Sequence, residues 1–142
     1  MNKEDVVKRL SYIKDNLELL KKTLQKYESS NGVDKKINLK ALERFCEEII
    51  ECATRINQEI LIENGDIADS YRQSFEKLSE LGLFDSEEFT DKLANTTGFR
   101  NRLAHDYIDL DVKITVLSAK GILDVYPKYV LNIVEYLEKK NK

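Results

Sequence analysis

Seven apolar residues, Val6, Leu10, Ile13, Leu17, Leu20, Leu24 and Tyr27, recur at spacings of three and four near the start of the chain. That period places them on one stripe of an α-helix about 25 residues long, and such a stripe must be buried against a partner. A second stripe follows in Leu42, Phe45, Ile49, Cys52, Ala53, Ile56 and Ile60, widened by Ile50 and Leu61. It predicts a helix over about 39–62. Between the two, Ser29-Ser30-Asn31-Gly32 closes the first helix, and the following residues read as a loop up to Asn38, an N-cap for the second.

The rest of the chain repeats the theme in shorter pieces. Tyr71, Phe75, Leu78 and Leu81 predict a third helix, with Gly82 as its C′ stop. Asp85 and Glu88 have the spacing of a capping box ahead of a fourth helix carrying Phe89, Leu93, Ala94, Phe99 and Leu103, with Gly98 inside it. Residues 112–125 form a helical stretch weakened by Gly121. Pro127 then fits the first turn of a last helix carrying Val130, Leu131, Val134 and Leu137. Five Gly and one Pro in 142 residues are too few for the many turns of a sandwich or barrel. The expectation is an all-α, single-domain, up-and-down bundle of about five helices spanning residues 1–142, with no internal repeat and no linker.

With 23 basic and 26 acidic residues the net charge is −3, which argues against a general nucleic-acid binder with a broad basic face. No stretch reaches the ~18 apolar residues that span a bilayer, and the N-terminus lacks a signal-peptide core. Cys46 and Cys52 lie six apart, about 240° around a helix, so they cannot pair within one chain. They read as small core residues in a reducing compartment, and the expected location is cytoplasmic.

Gly-rich phosphate loops, HExxH, paired-Cys metal patterns and a nucleophile elbow are all missing from the sequence. One window differs from its surroundings. Residues 92–105 contain no Asp or Glu, yet hold Arg100, Arg102 and the single histidine, His105. A local basic pocket on an acidic protein attracts phosphate while rejecting bulk nucleic acid. In an unbroken helix Arg100 and His105 stand about 140° apart. They converge only if the helix breaks near Ala104, or if one of them comes from a second subunit. Taken alone, a histidine near a helix end is as compatible with a cap, Arg100 with a surface ion pair, and Tyr107 with ordinary packing.

Arg100-(four residues)-His105-Asp106-Tyr107 resembles the R-x4-H-x-Y motif of the HEPN superfamily, and specifically of the HepT-like toxins. The resemblance extends to the Glu-rich second helix, the Ser70-Tyr71-Arg72-Gln73-Ser74-Phe75 segment, the Leu81-Gly82 stop, and Phe99-Arg100-Asn101-x-Leu103-x-His105-x-Tyr107. It also includes Pro127 as the opening of the last helix, and it covers about 39–140. It implies a metal-independent endoribonuclease, without cofactor, that works as a homodimer in which two motifs face one cleft. It also implies a type VII-like toxin–antitoxin pair, whose partner is a minimal nucleotidyltransferase that silences the toxin by transferring AMP to Tyr107. Arg100 and His105 are then the catalytic pair, with Asn101 in support, and Arg102 occupies a variable position. The chemistry suits these residue types. Histidine can act as base or acid near neutral pH, arginine offers a fixed fork to phosphate oxygens, and one histidine per chain makes a base-plus-acid mechanism a two-chain affair. The alternative is a non-catalytic helical partner or scaffold for a nucleotidyltransferase.

Overall fold

The computed structural model describes the backbone of residues 1–106 and 112–140, and the side chains of residues 1–99 and 112–140. The described residues form five helices: α1 (Lys3–Ser29), α2 (Gly32–Glu63), α3 (Tyr71–Glu80), α4 (Glu87–Asp106) and α5 (Val112–Lys140). There is no strand among them, as the apolar periods require. Nor is any described helix long and apolar enough to cross a membrane.

All seven stripe residues of α1 are buried, and Asn2 starts the helix by accepting a hydrogen bond from the Asp5 N–H at 3.2 Å. The α1 stripe packs along α2, the hub of the bundle. The hub touches every other helix, whereas α1 reaches only α2 and α5 among the described residues. That position explains why the buried face of α2 is wider than its stripe. Cys46, Thr54 and Asn57 are buried beside the expected residues, and Phe45 is only partly covered. Cys46 and Cys52 are free thiols in the core, and burial pushes the Cys46 thiol up to about 12.

The expected loop up to Asn38 is not present. Only Ser30 and Asn31 separate α1 from α2, and Asn38 lies inside α2. The missed turns bury no apolar stripe, since Val33 and Ile37 are exposed. Local contacts hold them instead: Asn38 Nδ2 donates to Ser30 Oγ at 3.2 Å, and the Lys35 ammonium sits over the Tyr27 ring. The C-terminus of α3 follows expectation. Gly82, with φ +87°, is the C′ residue of a Schellman motif in which the Leu83 and Gly82 N–H groups return to Leu78 and Ser79 carbonyls.

Pro127 does not open a last helix; it lies inside the single 29-residue α5. A proline there removes the hydrogen bond to the carbonyl four residues back. The helix continues because the flanking turns are pinned in the core. Tyr126 and Tyr129 are both 0% exposed, and they stack edge-on with each other and with Phe75. The Tyr129 hydroxyl shares its proton between Asn57 Oδ1 (2.6 Å) and the Ala53 carbonyl (3.1 Å). Asn57 Nδ2 in turn donates to Ser74 Oγ at 3.0 Å, tying α5, α2 and α3 together. Leu131, expected in the stripe of this segment, is exposed.

Candidate active site

The acid-poor window lies on α4, so the anchoring of α4 decides what the motif can do. Ser86, not Asp85, caps the helix: its Oγ accepts from the Phe89 N–H at 3.1 Å. Asp85 reaches instead to Lys128 on α5 at 2.9 Å, and Glu88 pairs with Lys92. The expected capping box is therefore replaced by a cap one residue later. Glu87 and Glu88 in the first turn still complement the helix dipole.

Phe89, Leu93, Ala94 and Phe99 bury the apolar side of α4, and polar contacts fix it at intervals. Thr90 Oγ1 donates to Ser79 Oγ on α3, at 2.9 Å, or to the Ser86 carbonyl. Arg72 Nη1 donates to Asn95 Oδ1 at 2.9 Å. The Thr96 hydroxyl lies 2.8 Å from the Tyr126 hydroxyl of α5. Burial raises the Tyr126 phenol well above its ordinary range, against a smaller opposing effect of Thr96, so it stays a neutral hydrogen-bonding group. This anchor sits one turn before Arg100.

Beyond it the helix runs unbroken to Asp106. The break expected as one possibility near Ala104 does not occur. The backbone positions of Arg100 and His105 are therefore about 140° apart around the axis and about 7.5 Å apart along it. Arg100, Asn101, Arg102 and His105 have described backbone, but their side chains fall outside the described residues, and Tyr107 lies wholly outside them. Among the described residues no group of three His, Cys, Asp or Glu is placed to share a metal ion.

Immediately before the motif, α4 and α5 diverge around a cleft of about 630 Å³. Its α4 wall is Lys92, Asn95, Thr96, Gly98 and Phe99; α5 contributes residues from Ile114 to Val125, including Ser118, Gly121 and Asp124. The α5 wall could not be found from sequence, since only the tertiary pairing brings it opposite α4. The one available signal was the oddity of two glycines in helical segments. Each is disfavoured by about 1 kcal/mol relative to alanine in a helix interior, and both prove to line this cleft.

Comparison with known proteins agrees with the residues. A family model described as Ribonuclease HepT-like matches residues 13–133, which takes in most of α1 as well as most of the region of the resemblance, the motif included. The chain is 35% identical over 99 residues to a tRNA nuclease HepT of Aphanizomenon flos-aquae, covering 67% of this chain and 65% of the relative. It is 30% identical over 89 residues to an mRNA nuclease HepT of Shewanella oneidensis, covering 63% and 64%. The match thus spans a little under two thirds of these relatives. Among solved structures, a toxin–antitoxin crystal structure with AMP-PNP superposes with a TM-score of 0.77 at 19% identity, over 94% of this chain and 99% of that one. The tri-AMPylated Shewanella oneidensis HEPN toxin in complex with MNT antitoxin gives 0.75 at 21% identity, over 95% and 99%. These structural likenesses establish a shared fold.

Proposed function

The chain belongs to the ribonuclease HepT-like family, and we propose that it is the toxin of a type VII-like toxin–antitoxin pair, a metal-independent endoribonuclease acting as a homodimer. The observation that carries this reading is the family match running through α4, whose last turns hold Arg100 and His105 at the R-x4-H spacing. The unbroken helix supports the dimer. With the two positions about 140° apart, one chain does not present both on one face, and a second copy supplies the missing group.

In this mechanism one His105 takes the proton of a ribose 2′-hydroxyl, and the oxygen attacks the adjacent phosphorus. The bond to the leaving 5′ oxygen breaks, and the His105 of the second copy supplies its proton. Arg100 stabilises the charge that builds on the phosphorus oxygens, and Asn101 supports the site. RNA as the substrate class is supported by the relatives, named as a tRNA and an mRNA nuclease. AMPylation of Tyr107 by a minimal nucleotidyltransferase antitoxin is supported by the AMPylated relative in its MNT complex. A bulky anion two residues from His105 both blocks the site and repels RNA. The assigned location is the cytoplasm, where the buried Cys46 and Cys52 stay reduced.

Expression of the chain alone is expected to arrest growth, and the purified protein to cut RNA in the presence of EDTA. Arg100→Ala and His105→Ala each abolish both effects. If both variants remain toxic, the catalytic assignment is wrong. The net charge of −3 favours one other reading, a scaffold for the transferase. That reading wins if the wild type cuts no RNA and arrests nothing, yet co-purifies with the transferase. Co-expression with the transferase raises the intact mass by AMP units in the wild type but not in Tyr107→Phe.

A further inference from the structure

The cleft between α4 and α5 has a feature that packing does not explain. Among the described residues, a methyl group built on Gly98 or on Gly121 meets no atom within 4 Å, so neither glycine is there to let another described part of the fold approach. Two helix-interior glycines on one cleft keep its walls bare. The cleft floor is apolar and well covered: Phe99 is 4% exposed, Ile122 0% and Val125 4%. Its rim is polar, with Asn95, Ser118 and Asp124 carrying donors and acceptors and Lys92 a cation. Asn95 already accepts from Arg72 through Oδ1, which leaves its amide nitrogen as the donor end.

The register of α4 links this cleft to the motif. Position 100 is four residues beyond Thr96 and about 40° from it around the axis, and position 105 is seven beyond Gly98 and about 20° from it. Position 100 thus lies just outside the Thr96 edge and position 105 just outside the Gly98 edge, so the two motif positions flank the α4 face of the cleft, one and two turns further along. We propose that the cleft is a nucleobase subsite, which seats one base of the RNA strand whose phosphate is cut at the motif. A base is flat and apolar on its faces and polar at its edge, matching bare walls, an apolar floor and a polar rim. Single-stranded RNA is recognised through such unstacked bases. Lys92 stands at the far end in an exposed pair with Glu88, and exchanges that carboxylate for a neighbouring phosphate. The proposal rests on the ribonuclease reading.

A Cβ at either position meets no described atom within 4 Å, so Gly98→Ala and Gly121→Leu add apolar bulk at the two walls of the cleft. Both variants are expected to melt no lower than the wild type. Gly121→Leu raises the KM for RNA about tenfold with kcat little changed, as loss of one base contact requires. Independently, adenosine and uridine 5′-monophosphate titrated into the full-length protein shift the Gly98, Ser118 and Gly121 amide resonances, and Gly121→Leu abolishes the shifts. Unchanged KM in both variants together with silent cleft amides overturns the proposal. A changed oligomeric state of Gly121→Leu by light scattering also overturns it, because the cleft is then a contact between copies. If the wild type cuts no RNA, the ribonuclease reading fails while the mononucleotide titration still decides whether the cleft binds a base.

Discussion

Removing one oxygen from the core, in Tyr129→Phe, tests the buried polar connection that holds α5 across its proline. Tyr129 and Asn57 are both 0% exposed, so neither has water to replace a lost partner. Phenylalanine fills the same space and leaves Asn57 Oδ1 without the donor now 2.6 Å away. The Ala53 carbonyl loses its longer contact as well. An orphaned buried acceptor costs about 1–3 kcal/mol, and the expected loss is about 2 kcal/mol. Unfolding entropy of about 2.1 cal/mol/K per residue amounts to roughly 0.3 kcal/mol/K for this chain, so the melting temperature falls by roughly 7 °C. The assay is thermal unfolding followed by circular dichroism, repeated in an Asn57→Leu background. There the acceptor no longer exists, Ser74 keeps its bond to the Tyr71 carbonyl, and Tyr129→Phe is expected to cost less than about 1 kcal/mol. Equal losses in the two backgrounds, or a loss below about 0.5 kcal/mol in the first, would refute the linkage.

The cap of α4 gives a second comparison. Ser86→Ala is expected to destabilise by about 1 kcal/mol, and Asp85→Ala, which breaks only an exposed pair with Lys128, by less than about 0.5 kcal/mol; urea titration showing the reverse order would restore Asp85 as the cap. Pro127→Ala restores a helical hydrogen bond and removes the ring clash, a helix-interior penalty of up to about 3 kcal/mol in all, less about 0.4–1 kcal/mol of regained chain entropy. A net gain of about 2 kcal/mol in chemical denaturation is expected, and a loss would mean that the ring packs productively. Burial raises the Cys46, Tyr126 and Tyr129 acids above their ordinary values. Each is then protonated in the fold at pH values where the unfolded chain ionises, so stability is full below pH about 8.5 and declines as pH rises through 9 toward 12 and beyond. Tyr129→Phe should make that decline shallower in urea titrations at several pH values, and a parallel decline counts against the assignment.

What was legible in the sequence is what a single buried stripe can encode. The stripe of α1 is covered by neighbours on one side only, so its seven residues announce both the helix and its buried face. On α2 contact with every other helix spreads burial to Thr54, which bonds back to the Glu51 carbonyl, and to Asn57, whose partners Ser74 and Tyr129 lie on other elements. The first turns of α2 escaped because Val33 and Ile37 bury nothing there. Pro127 misled for a different reason: a local rule for helix starts was overridden by the two buried tyrosines on either side of it. Arg100 and His105 were readable as a motif string, but the unbroken course of α4 past Ala104 was not, and it is that course which separates the two positions. The α5 side of the cleft has no local signature at all, since Ser118, Gly121 and Asp124 acquire meaning only opposite Gly98 and Asn95.

The charge of the chain bears on how such a site would hold RNA. At −3, with 26 acidic residues, the protein cannot rely on a broad basic face that releases many counterions. Several of its described cations are already engaged by carboxylates, as Lys77 is with Asp66, Lys128 with Asp85 and Lys140 with Glu63. On the ribonuclease reading, phosphate contacts centre on the acid-poor window 92–105, where Lys92 is itself in an exposed pair with Glu88, and the paired cations elsewhere add little non-specific affinity. The remaining binding energy has to come from bases, whose burial and edge hydrogen bonds do not depend on net charge. A nucleobase cleft beside the motif meets that need, and it lets an acidic protein engage one exposed strand of RNA while ignoring duplex nucleic acid in bulk.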